Sequence, residues 1–154
     1  MIIKEKTCAV TGHRVISKKL DPKEVENSLY KAINDGFDTF LCGMALGFDT
    51  LCFNILCRLK KDNPIKIIAC VPCDSQDTFF TKKQKAEYKK MLDNADEVIY
   101  VSKTYFDGCM QVRNQFMVDN ASKLIAYLNA GYGGTYNTVK YAIKSGVSVE
   151  YVGK

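Results

Sequence analysis

The sequence has a single histidine, His13, and no apolar run close to the roughly 20 residues that a membrane-spanning helix needs. One imidazole excludes the metal sites that require two histidines. The first residues also lack the basic, then apolar, then small pattern of a secretory signal peptide. We therefore expect a cytoplasmic protein with no membrane association.

No repeat, low-complexity tract or Pro/Gly/Ser-rich linker divides the 154 residues. This length fits one domain with a core large enough to fold without disulfides or a structural metal. A composition of 47% hydrophobic and 25% charged residues is that of a globular protein and not of a disordered one. We expect residues 1–154 to form a single domain.

Positive charge is in modest excess, with 22 Lys and Arg against 17 Asp and Glu. The excess is spread along the chain except for one lysine-rich predicted helix, with Lys82, Lys83, Lys85, Lys89 and Lys90. A basic helix face is usually solvated surface. On this ground alone we do not expect a nucleic-acid partner.

The seven cysteines are odd in number, and most lie in apolar runs, where a free thiol behaves as a small hydrophobe. Cys70 and Cys73 form a CxxC pair, but no second pair or histidine pair completes a zinc site. Pro72 lies between them, and Cys70 falls in a predicted strand, whereas a thioredoxin-type site begins at a helix start. We expect reduced thiols, no metal and no cofactor.

Apolar runs rich in β-branched residues alternate with segments of helical period. The predicted strands are 7–11, 39–42, 65–71, 97–101, 123–128 and 147–152. This alternation is typical of strand–helix units around a parallel sheet, and nearly continuous apolar strands imply burial on both faces. The predicted fold is α/β, a Rossmann-like three-layer sandwich with a mainly parallel central sheet.

Local signals place helix ends within this pattern. Asp21 followed by Pro22 and Glu24 predicts the start of the first helix, and Gly36 its end. Gly146 ends the fifth and last predicted helix.

Two glycine-bearing loops follow predicted strands. Ligands of open parallel sheets bind outside the carboxyl ends of the strands, where helix N-termini converge. Gly131, Gly133, Gly134 and Thr135 allow a backbone to approach a phosphate closely, and the loop at 43–49 opens a second helix at the same edge. The alternative is a turn that merely reverses the chain. Neither loop has the Walker lysine or the GxGxxG spacing, which argues against an ordinary kinase, GTPase or dehydrogenase.

Polar side chains flank these loops. His13 and Arg14 follow the first strand and are placed to bind a ribose or phosphate, although a capping or surface role is the alternative for His13. Arg113, in a predicted helix, can clamp a phosphate. Asp49 can accept from a ribose hydroxyl or satisfy the dipole of its helix. The candidate ligand-binding residues are Gly12, His13, Arg14, Gly43, Met44, Gly47, Asp49, Pro72, Arg113, Gly131, Gly133, Gly134 and Thr135.

Four segments together resemble one known family. They are Thr-Gly-His-Arg at 11–14, Gly-Met-Ala-Leu-Gly-Phe-Asp at 43–49, Arg-Asn-Gln-Phe-Met-Val-Asp at 113–119 and Gly-Gly-Thr at 133–135. In this order they resemble the YpsA-like (DUF1273) branch of the SLOG superfamily, which joins the DNA-processing protein DprA/Smf to the LOG phosphoribohydrolases. The resemblance covers nearly the whole chain. It implies a Rossmann-like fold, a pocket for a nucleotide or ADP-ribose-like ligand, and a homodimer.

The chain lacks the acidic residues of the LOG signature. The LOG signature, Pro-Gly-Gly-x-Gly-Thr-x-x-Glu after an Arg-bearing helix motif, uses its Glu and Arg to cleave the base-to-ribose bond. Arg113, Gly134 and Thr135 match it, but residues 136–138 are Tyr, Asn and Thr where the glutamates should fall. Cleavage through an oxocarbenium-like state needs a carboxylate or base at the sugar. We therefore expect a ligand binder, a sensor or sequestering protein, in preference to an enzyme.

Two alternatives stay open. One is an N-glycosidic hydrolase of nucleoside monophosphates, with Asp49, Asp74 or Asp77 as the missing acid and with Arg113 and Asp49 as the candidate catalytic residues. The other is DprA-like binding of single-stranded DNA, which rests on the charge and the helix lysines.

Overall fold

The computed structural model describes residues 2–153 and arranges them as a six-stranded sheet between two layers of helices. The strands are β1 (Thr7–Gly12), β2 (Thr39–Cys42), β3 (Lys66–Val71), β4 (Glu97–Tyr100), β5 (Lys123–Tyr127) and β6 (Ser148–Tyr151). The helices are α1 (Pro22–Asn34), α2 (Phe48–Lys60), α3 (Lys82–Asn94), α4 (Cys109–Asp119) and α5 (Gly134–Lys144), with a 3₁₀ turn at Lys4–Lys6 before β1.

The strand order is β4-β3-β2-β1-β5-β6, and every pair of neighbours is parallel. The predicted α/β sandwich is confirmed, and the predicted strands agree with the observed ones to within one residue at each end. The agreement is close because buried parallel strands are short, apolar and β-branched, while the segments between them keep a helical period.

Side chains that alternate along each strand pack into two separate cores. On one face, Cys8 and Phe40 pack with the apolar sides of α1, α2 and α3. On the other face, Ala9 and Leu41 pack with α4 and α5. The prediction of burial on both faces holds for β1, β2, β3 and β5, but β4 and β6 are partly exposed because each has a strand on one side only.

The predicted helix signals are confirmed at both ends of the chain. Asp21 accepts a hydrogen bond from the Lys23 amide (2.9 Å) where α1 begins at Pro22. Gly36, with φ of 105°, follows the end of α1, and Gly146, with φ of 80°, follows the end of α5.

Three helices start without a side-chain cap. In front of α2, α4 and α5 lie Gly47, Gly108 and Gly133, each at positive φ. The first amides of an α-helix have no partner inside the helix. In α2 the Phe48 amide donates to the His13 carbonyl (3.1 Å), and in α4 the Cys109 amide donates to the Phe106 carbonyl (3.0 Å), so α5 has the most open N-terminus of the three.

The strand order reverses at β1. The chain builds β2, β3 and β4 outward on one side of β1 and then returns through α4 to place β5 on its other side. In open parallel sheets such a switch point leaves a crevice at the carboxyl ends of the strands. Within residues 2–153, no helix is long and apolar enough to cross a membrane.

Candidate functional site

A cavity of about 300 Å³ lies over the carboxyl ends of β1 and β5, at the position where the strand order reverses. We call it the switch-point crevice. Its volume is at the lower end of the range usual for small-molecule sites. It is lined by Thr11, Gly12, His13, Arg14, Ala45, Asp49, Met110, Arg113, Asn114, Gly134 and Thr135.

Asp49 lies in the first turn of α2 and is only 7% exposed. Its Oδ2 accepts from the Ala45 amide (3.2 Å). Among the residues that the structure describes, its Oδ1 is the one buried side-chain oxygen or nitrogen without a hydrogen-bond partner. A buried acceptor left unpaired costs about 1–3 kcal/mol. The arrangement leaves Oδ1 ready to accept from a group that enters the crevice.

Burial raises the pKa of Asp49 to about 6, although the Arg113 guanidinium and the Ala45 amide favour its charged form. A carboxyl group with this pKa changes its charge near neutral pH. It can therefore hold or release a proton under conditions in which an exposed aspartate stays ionised.

Arg113 reaches the crevice from α4 but is only 4% exposed. Its Nη1 donates to the carbonyl oxygens of Gly43 and Cys70 (3.3 Å to Cys70), and its Nε donates to Asn114 Oδ1 (2.7 Å). Burial lowers the pKa of Arg113, and the Asp49 carboxylate opposes that shift. The guanidinium predicted as a phosphate clamp is thus largely occupied by protein acceptors, and only its Nη2 makes no hydrogen bond to residues 2–153.

The glycines of the loop between β2 and α2 make room for protein atoms. A Cβ on Gly47 would lie 2.1 Å from the Arg14 carbonyl oxygen, and one on Gly43 would lie 3.0 Å from Arg113 Cζ. At the end of β1, a Cβ on Gly12 would lie 2.4 Å from the ring of Phe48. The close approach predicted for a phosphate at Gly43 and Gly47 is here an approach of backbone and side chains.

The loop between β5 and α5 is open instead. Gly133 has φ of 99°, and a Cβ on Gly131, Gly133 or Gly134 would have no other atom within 4 Å. The positive φ falls on Gly133, while Gly134 is the first residue of α5. With no side-chain cap on α5 and with Thr135 in the crevice wall, this loop presents amides and free space to an anion.

His13 and Arg14 follow β1 and differ in how much the protein already uses them. His13 Nε2 accepts from the Asn129 amide (3.0 Å), and its ring lies edge-on to Tyr127 at 5.6 Å between centroids. Only Nδ1 of His13 is left for a ligand. The exposed Arg14 guanidinium has no hydrogen bond, ion pair or ring contact with any described residue.

The structure brings together part of the predicted set. In the crevice wall it places Gly12, His13, Arg14, Asp49, Arg113, Gly134 and Thr135. Gly43 lies beneath Arg113, and Met44 and Gly47 face a neighbouring groove. Pro72 is buried beyond β3, and Gly131 and Gly133 are exposed and line neither the crevice nor that groove. Asp74 is exposed beside Tyr100 and Lys103, and neither it nor Asp77 lines the crevice.

Four crevice residues are not among the candidate ligand-binding residues named from the sequence. They are Thr11, Ala45, Met110 and Asn114. The last two had a readable signal, because residues three or four apart on a helix share a face and Met110, Arg113 and Asn114 have that spacing. Ala45 contributes through its backbone amide, for which residue type gives no signal.

A second cavity, of about 590 Å³, lies between α2 and α3 and is called the α2–α3 groove. Its apolar wall is formed by Val15, Met44, Leu46, Leu51, Phe80, Tyr88 and Met91. Its polar lining is formed by Arg14, Thr50, Asn54, Gln84 and Glu87. Residues 44–49 separate the two cavities: Met44 and Leu46 face the groove, and Ala45 and Asp49 face the crevice. Arg14 borders both.

A chain of hydrogen bonds connects groove and crevice. Tyr88 Oη donates to Gln76 Oε1 (3.1 Å), and Gln76 Nε2 donates to the Gly43 carbonyl (3.2 Å), which also accepts from Arg113. Burial raises the pKa of Tyr88 further above its ordinary value, and its phenol is a donor at neutral pH. One hydrogen-bond network therefore links Tyr88 in the groove lining with Arg113 in the crevice lining.

The thiols are not part of the crevice lining. Burial raises the pKa of Cys70 to about 12, and Cys73 is also buried. In residues 2–153 there is no group of three or more His, Cys, Asp and Glu side chains that could hold a metal ion.

Comparison with solved structures matches two DprA proteins. The DNA processing protein A of Streptococcus pneumoniae has a TM-score of 0.69 at 21% identity over 96% of this chain. That of Helicobacter pylori, described for its single-stranded DNA binding mode, also has a TM-score of 0.69, at 15% identity over 98% of this chain. This chain spans only 50% and 66% of those proteins. At these identities the likeness establishes the fold.

Sequence comparison identifies the family. The SPbeta prophage-derived protein YoqJ of Bacillus subtilis is 34% identical over 69% of this chain and 70% of its own length. A UPF0398 protein of Listeria monocytogenes serotype 4b is 22% identical over 75% of this chain and 70% of its own length. The model of the YspA SLOG family (YpsA) matches residues 10–150. The sequence segments, the Rossmann-like sheet and this match agree, and the chain belongs to the YspA SLOG family.

Proposed function

We propose that this protein binds a nucleotide-derived ligand, a nucleotide or an ADP-ribose-like molecule, in the switch-point crevice and acts as a sensor or sequestering protein. One observation carries the proposal. The uncapped N-terminus of α5 and the unpaired, buried Oδ1 of Asp49 belong to the same cavity. The α5 N-terminus offers hydrogen-bond donors to a phosphate, and Asp49 Oδ1 needs a donor such as a ribose hydroxyl. One molecule that carries both groups meets both requirements.

The phosphate end of the ligand belongs at the loop between β5 and α5. The first amides of α5 and the Thr135 hydroxyl donate to phosphate oxygens, and the helix dipole favours the negative charge. Gly133 and Gly134 leave room for that approach. The Arg14 guanidinium, which has no partner within residues 2–153, supplies the countercharge.

The sugar end belongs at Asp49. A ribose hydroxyl that donates to Oδ1 pairs the one buried acceptor that the described residues leave unpaired. Arg113 keeps that carboxylate charged by its proximity and holds the loop beneath it through the Gly43 carbonyl. A hydrogen bond to a charged group contributes about 1.5–3 kcal/mol.

Calorimetric titration with AMP, ADP-ribose and a cyclic ADP-ribose analogue tests the proposal. We expect the wild type to bind at least one of them. Gly134→Val should weaken that binding about 10- to 100-fold, the equivalent of one charge-assisted hydrogen bond, because its side chain blocks the approach to α5. Gly131→Val makes the same change in the same loop outside the crevice and should bind like the wild type. Wild-type protein that binds none of the three contradicts the proposal.

Hydrolysis of an N-glycosidic bond is the second candidate, and the pKa of Asp49 favours it. A carboxyl group with a pKa of about 6 is suited to general acid–base chemistry near neutral pH. Incubation with nucleoside monophosphates, followed by mass spectrometry, separates the two functions. Intact ligand supports the binder, whereas turnover on the order of 1 per second that is lost in Asp49→Asn supports the hydrolase.

Single-stranded DNA is the remaining alternative outcome. The α3 lysines are exposed and line neither cavity. Titration with a labelled oligonucleotide tests it. Binding that falls steeply with salt, persists in Gly134→Val and is lost when Lys82 and Lys83 become Ala would indicate that the protein binds single-stranded DNA through α3.

A further inference from the structure

We propose that the α2–α3 groove binds the nucleobase of the same ligand, so that one nucleotide spans crevice and groove across Arg14. This inference rests on the proposed function and adds the part of the site that distinguishes a nucleotide from a sugar phosphate.

The placement of the two cavities makes one elongated ligand possible. Residues of the segment 44–49 contribute to both linings, and so does Arg14. The crevice carries the polar groups, Asp49 and Thr135 among them, while the groove is the larger cavity. A molecule with a charged end and an apolar, flat end matches this division.

The chemistry of the groove is that of a base pocket. Leu46 and Leu51 offer aliphatic contacts, and the rings of Phe80 and Tyr88 lie edge-to-face at 5.6 Å between centroids. Asn54 and Glu87 place an amide and a carboxylate at the lining. A nucleobase has apolar faces and a polar edge, so apolar walls with a few polar groups can bury the first and pair the second.

The groove is also held in place before any ligand enters. Tyr88 is fixed by Gln76, and Gln76 by the same Gly43 carbonyl that anchors Arg113. A wall ordered in advance reduces the entropy lost on binding. Base contacts in the groove should therefore add affinity to those made by the phosphate and ribose.

Comparison of AMP with ribose 5-phosphate measures the contribution of the base. Calorimetric titration of the wild type should give AMP about 10- to 100-fold tighter binding, equivalent to roughly 1.4–2.8 kcal/mol. Asn54→Trp projects a large ring into the groove from α2. It should lower AMP affinity to that of ribose 5-phosphate and leave ribose 5-phosphate affinity unchanged.

Two further variants complete the design. Glu87→Trp fills the groove from α3 and should give the same result as Asn54→Trp, from a different helix. Asn27→Trp makes the same substitution as Asn54→Trp at an exposed position of α1 that lines neither cavity, and it should behave as the wild type. Circular dichroism checks that all three variants are folded.

The outcomes distinguish failure of the groove assignment from failure of the proposed function. If AMP and ribose 5-phosphate bind the wild type equally, or if both groove variants bind AMP as the wild type does, the groove assignment is overturned while the crevice proposal stands. If neither compound nor ADP-ribose binds the wild type, the proposed function itself fails.

Discussion

Two loops at the carboxyl edge of the sheet, after β2 and after β5, each place a glycine at positive φ directly before a helix. Gly47 has φ of 84° and Gly133 has φ of 99°. Around Gly47 the space of a side chain is taken by the carbonyls of His13 and Arg14, whereas around Gly133 it is empty. A glycine directly before a helix thus marks a tightly packed loop after β2 and an open loop after β5.

This difference assigns separate tasks to the two loops. The packed loop carries Asp49 and, through the Gly43 carbonyl, anchors Arg113. The open loop leaves the N-terminus of α5 free at the opposite wall of the crevice. Changes in the packed loop should therefore affect folding first, and changes in the open loop should affect ligand binding first.

Arg113→Ala should have the largest effect on stability. It removes the charge that favours the ionised form of buried Asp49 and the donor to the carbonyls of Gly43 and Cys70, and each buried acceptor left unpaired costs about 1–3 kcal/mol. Urea unfolding at neutral pH measures the loss. Arg113→Lys keeps the charge and should lose less. An Arg113→Ala protein as stable as the wild type would contradict the burial described for this side chain.

Gly47→Ala and Gly133→Ala compare the two loops directly. Gly47 has φ/ψ of 84°/−119° and Gly133 of 99°/−176°, regions that strain an L residue by about 1–3 kcal/mol at either position. Overpacking adds about 1–3 kcal/mol at Gly47 alone, because its Cβ would meet the Arg14 carbonyl. Urea unfolding should show the larger loss for Gly47→Ala. Equal losses would remove the distinction between a packed and an open loop.

The titration of Asp49 should show a smaller but specific effect. Carbon-13 NMR of the Asp49 carboxyl should give a midpoint near pH 6, above the ordinary value of about 3.9, since burial disfavours its charge. Because the folded pKa is raised, the contribution of Asp49 to stability is full below about pH 4 and is lost as the pH rises through 6. A ligand hydroxyl that donates to Oδ1 should lower the midpoint.

The assignment is checked by Asp49→Asn, in which this resonance disappears. A midpoint near pH 4 in the unliganded protein would show that Asp49 is better solvated than its 7% exposure implies.

The fold was predictable because its signals are local. Apolar β-branched runs placed the six strands, and Asp21, Pro22 and Gly146 placed helix ends. The position of the crevice followed from the rule for parallel sheets, since it needs only the ends of strands.

The interior of the site was less predictable because its contacts join distant segments. Arg113 is bound by the carbonyls of Gly43 and Cys70, and backbone acceptors have no residue type to reveal them. The α2–α3 groove depends on how two helices pack. Gly47 and Gly133 look alike in sequence, and only the neighbouring atoms distinguish them.

The most direct test of the account is an NMR titration of ¹⁵N-labelled protein with AMP. The account predicts large amide shifts at Gly133, Gly134 and Thr135, where the phosphate binds, and small ones at Gly36 and Gly146, which follow the ends of α1 and α5 and line neither cavity. It is contradicted if saturating AMP leaves the α5 amides unshifted, or if the shifts are confined to the lysines of α3.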